Sequence, residues 1–105
     1  MQTKVTFRHF KGNHPELHAT AEELAGSFER FHDGIISTNV EFINDVEKTV
    51  EFTVHMQGST LVAKESSDDF HKSLHEASDK IIRQIKKHKT KITSGRNKSE
   101  LGELI

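Results

Sequence analysis

The chain has 105 residues, no cysteine and a formal net charge of −1, which is one domain's length and excludes a disulfide framework, a thiolate metal site and a cysteine nucleophile. Hydrophobic residues make up 32% and charged residues 30%, a polar composition that still suffices for one modest core. No apolar run approaches the roughly 18 residues of a membrane span, and Met1-Gln2-Thr3-Lys4-Val5 lacks the apolar stretch of a secretion signal, so the sequence predicts a cytoplasmic protein with no membrane partner.

Residues 2–10 alternate, with Thr3, Val5, Phe7 and His9 on one face and Lys4, Thr6, Arg8 and Phe10 on the other. Period two with β-branched and aromatic residues predicts a strand. Gly12-Asn13-His14-Pro15 ends it, and Pro15 suits the first helical position. Leu17, Ala21, Leu24, Phe28 and Phe31 then recur at helical spacing, up to a stop at Asp33-Gly34.

Three strands are predicted next. Ile36 to Asn44 carries Ile36, Thr38, Val40 and Phe42 at even spacing. Lys48 to Met56 turns Val50, Phe52, Val54 and Met56 one way and Thr49, Glu51, Thr53 and His55 the other. Thr60 to Lys64 is a short last strand, and Asn44-Asp45 and Gln57-Gly58 supply the hairpin turns. Ser66-Ser67-Asp68-Asp69 offers capping residues for a long helix reaching about Ile92. Its stripe is Phe70, Leu74, Ala77, Ile81, Ile85, His88 and Ile92. The predicted domain is 1–92, followed by a flexible tail, 93–105. The fold class is α+β in the order β-α-β-β-β-α. A right-handed crossover makes the first two strands parallel, the hairpins make the others antiparallel, and both helices cover one sheet face.

The net charge hides a division. Residues 1–79 hold seven Lys or Arg against fourteen Asp or Glu, whereas residues 80–98 hold eight Lys or Arg and no carboxylate. A cationic helix end suits the helix dipole, which accounts for one or two lysines. Eight cations repel one another, and a polyanion would offset that cost. No aromatic residue interleaves with them, so the pattern points to a phosphate backbone rather than to stacked bases.

Asp79-Lys80-Ile81-Ile82-Arg83-Gln84-Ile85-Lys86-Lys87-His88-Lys89-Thr90-Lys91 resembles the second-helix motif of bacterial ribosome hibernation-promoting factors, D-K-φ-x-R-Q-φ-x-K-H-K-x-K with φ apolar. These proteins are also called the ribosome-associated inhibitor or sigma-54 modulation protein family. Thr53-Val54-His55-Met56-Gln57-Gly58 is similar to the family's T-φ-H-V-x-G hairpin, with Ala63 after the turn. Met1-Gln2, Arg8-His9 and Glu29…Phe31…Asp33…Ile35 match more loosely, and the resemblance covers about residues 1–92. A chain ending at Ile105 resembles the short type, without a second dimerising domain.

The resemblance implies a fold related to double-stranded-RNA-binding domains. It also implies a stress and stationary-phase factor that binds the small ribosomal subunit through ribosomal RNA, fills the channel of messenger and transfer RNA, and stops translation without a cofactor. Carried over by position, the RNA contacts are Lys80, Arg83, Lys87, Lys89 and Lys91. Lys86 joins them on charge, and Arg8 is a further candidate. A second hibernation factor is a candidate partner. The departures are Gly34, where many members have a cation, Phe7, where Gly is common, and an acidic first helix bearing Glu16, Glu22 and Glu23.

Other constellations are weaker. His14/His18 and His71/His75 have the i, i+4 spacing of a metal pair but no third ligand. No P-loop, dinucleotide fingerprint or paired nucleophile and base is present, so the sequence predicts no enzyme and no small-molecule substrate. A generic double-stranded-RNA-binding module is the alternative, although loop cations between the strands are scarce. A phosphoryl-group hydrolase of similar topology lacks its arginine and nucleophile near the first turn. A peptide-binding role for the uncovered sheet face is a further possibility.

Overall fold

The computed structural model describes residues 2–12 and 14–94, the side chains of 88–94 excepted. Strand β1 (Gln2–Arg8) leads to helix α1 (Pro15–Ser27) and a 3-10 turn (Phe28–Arg30). Strands β2 (Ile35–Asn44), β3 (Lys48–Met56) and β4 (Ser59–Ser67) follow, and helix α2 (Phe70–Ser94) closes the fold. The strands lie in the order β1-β2-β3-β4. β1 runs parallel to β2, and the other neighbours are antiparallel. This is the predicted order and mixed sheet.

Alternation along the strands divides the sheet. Val40, Phe42, Val50, Phe52, Val54 and Met56 are buried on one side, because each apolar position falls on the same face of a period-two strand. Ala21 and Phe28 cover them from the α1 side. Leu74, Ala77, Ile81 and Ile85 cover them from α2. Lys4, Thr6, Asn39, Glu41, Glu51 and Thr53 line the uncovered face.

The structure corrects several boundary and facing expectations. β1 stops at Arg8 because His9 takes a left-handed φ of 65°. The turn sends Phe10 inward, edge-on to Phe7 at 5.1 Å and 5.0 Å from Phe70, instead of outward beside Arg8. Helix α1 ends at Ser27, well before Asp33-Gly34. There the Ser27 hydroxyl donates back to the Leu24 carbonyl at 2.6 Å, and the chain tightens into the 3-10 turn.

In β2 a bulge between Ile35 and Ser37 inserts one residue. Ile35 is therefore the inward side chain, and Ile36 is 58% exposed. β4 is longer than predicted, so Ser66 and Ser67 are strand residues. Asp69, one of the four predicted capping residues, caps α2, its carboxylate accepting the His71 N–H at 3.0 Å. α2 itself extends through Ser94, past the expected end near Ile92. The remainder of the predicted tail, 95–105, lies outside the described residues.

Candidate nucleic-acid interface

Helix α2 is held by one stripe, and that stripe fixes where its charges point. Leu74, Ala77, Ile81 and Ile85 have no exposed surface. At about 100° per residue, Arg83 lies roughly opposite that stripe, with Lys80 and Lys87 to one side of it and Lys86 to the other. Arg83 and Lys87 are exposed and form no ion pair among the described residues.

Two of these cations, Lys80 and Lys86, are engaged. Lys80 leans toward β4 and forms a salt bridge with Glu65, whose side chain is 20% exposed. Lys86 leans the other way, its Nζ 5.3 Å from the centre of the Phe31 ring, a cation–π contact. Between Lys80 and Lys86, Gln84 donates to the Val62 carbonyl on β4 at 2.9 Å. Strand β4 and the segment after α1 thus grip α2 from both sides. Lys89 and Lys91 belong to α2 by backbone, and their side chains are outside the described residues.

Arg8 is not brought to this surface. It alternates with half-buried Val5 and Phe7, so it sits on the uncovered sheet face. Its guanidinium pairs there with Glu41 at 2.7 Å. The helical layer and the sheet face are therefore two separate charged surfaces, and Arg8 belongs to the second.

Sequence reasoning did not assign Glu65 or Phe31 a part in this surface. The signal for Glu65 was its alternation with Leu61 and Ala63, cut off by ending the last strand at Lys64. Gly34 also has a local cause. Its N–H donates to His32 Nδ1 at 2.8 Å, and an added Cβ would lie 2.7 Å from the imidazole Cε1. The His32 ring occupies the space that a longer residue at position 34 would need.

One histidine of each i, i+4 pair lies near a carboxylate, and His14 Nε2 lies 3.0 Å from the Lys11 carbonyl. His18 Nδ1 is 3.4 Å from Glu22, and His71 Nε2 is 3.5 Å from Glu16. Among the described residues, no group of three His, Asp or Glu is arranged to hold a metal. No described helix is long and apolar enough to cross a membrane.

Comparison with known proteins gives the setting. Residues 3–93 match the family described as sigma 54 modulation protein / S30EA ribosomal protein. The ribosome hibernation promoting factor of Pseudomonas putida is 35% identical over 94 residues, covering 87% of this chain and 89% of that protein. The ribosome hibernation promotion factor of Bacillus subtilis is 34% identical over 82 residues, or 74% of this chain. Those residues are 43% of the Bacillus protein, so the chain spans less than half of that relative. A ribosomal subunit interface protein from Coxiella burnetii superposes with a TM-score of 0.77 at 25% identity, covering 86% of this chain and 99% of that one. The N-terminal domain of Thermus thermophilus Protein Y has the same fold, with a TM-score of 0.73 at 19% identity over 81% of this chain and 94% of its own.

Proposed function

The chain belongs to the sigma 54 modulation protein / S30EA ribosomal protein family, and from that premise we propose that it is a ribosome hibernation factor. It binds the small ribosomal subunit through ribosomal RNA phosphates and occupies the channel used by messenger and transfer RNA. Translation stops by occlusion, with no covalent step and no cofactor.

One observation carries the phosphate reading. Arg83 and Lys87 stand exposed on the outer side of a helix whose inner side is fully buried. A packed helix presents its cations without first ordering them, which lowers the entropic cost of binding. Guanidinium and ammonium groups position a protein on a phosphate backbone and carry little sequence information. Recognition of folded RNA by shape follows from the same chemistry. The names of the Pseudomonas and Bacillus relatives support the hibernation role.

Co-sedimentation with isolated small subunits, large subunits and a plain RNA duplex tests the proposal. Selective pelleting with the small subunit is expected, with affinity falling about 10³-fold or more between about 50 and 200 mM salt if six or so phosphates are contacted. Arg83→Glu with Lys87→Glu should abolish it. Equal binding to every RNA would reduce the protein to a generic RNA-binding module. No binding at either salt would refute the phosphate reading outright.

A further inference from the structure

We infer that Glu65 is a positioning residue that withholds Lys80 from phosphate, dividing the cationic face of α2 into a restrained flank and a free row. The inference rests on the phosphate-binding reading given above, and it names how that surface is regulated from within.

Glu65 lies on β4 and alternates with half-buried Leu61 and buried Ala63, so it points toward α2. Its side chain is 20% exposed, and it meets Lys80 in a salt bridge. The turn of α2 that follows Lys80 is held against the body of the domain. Ile81 and Ile85 fix the rotation of the helix through complete burial, and Gln84 ties it to the Val62 carbonyl of the same strand at 2.9 Å. Lys80 therefore meets its carboxylate on an immobile scaffold, which removes part of the ordering cost that weakens surface ion pairs. Lys86 is restrained by a different contact, the Phe31 ring at 5.3 Å.

Arg83 and Lys87 have no counterpart to either contact among the described residues. They are one helical turn apart, about 6 Å along the axis. A phosphate approaching the helix finds these two cations without an ion pair among the described residues and Lys80, 51% exposed, already paired with Glu65. The number of counterions released on binding is then smaller than the number of lysines and arginines on the face. Glu65 sets that difference, and with it the steepness of the salt response.

The salt dependence of small-subunit binding separates this from a structural role, because loss of packing lowers affinity at every salt concentration while release of a cation changes the slope. Glu65→Gln keeps the shape of the side chain and removes its charge. It is expected to steepen the plot of log affinity against log salt by about 0.7–0.9, one added phosphate contact. The gain in affinity at about 50 mM salt over that at about 200 mM is then roughly threefold. Glu65→Gln combined with Lys80→Gln should return to the wild-type slope. Glu51→Gln, on the uncovered sheet face, removes the same charge far from α2 and should leave the slope where it was. Thermal melts of all variants report folding independently.

An unchanged slope in Glu65→Gln overturns the inference. So does a double variant whose slope falls below wild type by one phosphate, which would mean that Lys80 already touches RNA. A Glu51→Gln slope as steep as that of Glu65→Gln would assign the effect to net charge. The same series on a plain RNA duplex keeps the two proposals apart. Duplex binding without small-subunit preference overturns the hibernation reading and leaves the role of Glu65 to be decided by the slopes. Loss of binding to both RNAs in the wild-type protein overturns both.

Discussion

Replacing Ile35 and Ile36 separately by alanine tests the bulge that opens β2. Both are isoleucines, adjacent in the chain, and a strand of unbroken register starting at Ile36 would bury the second. The structure buries the first: Ile35 is 7% exposed against 58% for Ile36. Ile35 stands opposite Met56 on β3, itself 4% exposed, so truncation leaves a cavity beside Met56. Ile35→Ala should cost about 2–5 kcal/mol. Ile36→Ala should stay within about 0.5 kcal/mol of wild type, as exposed truncations do. Against a total stability of about 5–15 kcal/mol for a domain, the first is a large share and the second a small one. At about 4–8 °C per kcal/mol for a domain near this size, Ile35→Ala should melt at least about 8 °C lower, while Ile36→Ala shifts by only a few degrees. Urea titrations followed by circular dichroism measure both, and equal m-values allow the midpoints to be read as stability. If Ile36→Ala is as costly as Ile35→Ala, or costlier, the bulge is misplaced and the facing of the first half of β2 is wrong.

Three more substitutions have defined outcomes. Ser73→Ala should cost about 1–3 kcal/mol in the same titration, because the buried Ser73 hydroxyl donates to the Lys48 carbonyl at 2.7 Å and lies 2.7 Å from Ser67 Oγ. Asp69→Ala removes the acceptor of the His71 N–H and should cost about 1 kcal/mol, visible as a lower midpoint and a loss of helical signal at the start of α2. Arg83→Gln with Lys87→Gln should lower the slope of log affinity against log salt on small subunits by about 1.4–1.8. The melting temperature should not move, since both side chains are exposed.

The fold was legible where periodicity is long and uninterrupted. The alternation Val50, Phe52, Val54, Met56 and the helical stripe Leu74, Ala77, Ile81, Ile85 each name one buried face, and both faces are buried as predicted. The errors cluster where one residue departs from the local period. His9 takes up a left-handed φ, Ile36 is displaced by a bulge, and Ser27 turns its hydroxyl back on the helix. None of these changes composition or spacing, so a period-based argument passes over them. The cationic helix was legible for the same reason as its apolar stripe, since both recur with the helix. Which cations are free was not legible. Glu65 is 15 residues from Lys80 in sequence, and only the antiparallel return of α2 across β4 brings them together.

Strand β4 is the last strand of the sheet, nine residues long. A strand in that position offers main-chain donors and acceptors to any other extended chain, and proteins that remain monomeric blunt such edges. Lys64 places a charge on this strand, and the Gln84 amide reaches down from α2 to take up the Val62 carbonyl in its middle. The helix that displays the cations thus also guards the sheet against strand-on-strand growth. A substitution on α2 chosen only to alter charge can, if it takes Gln84 with it, turn a question of affinity into one of aggregation.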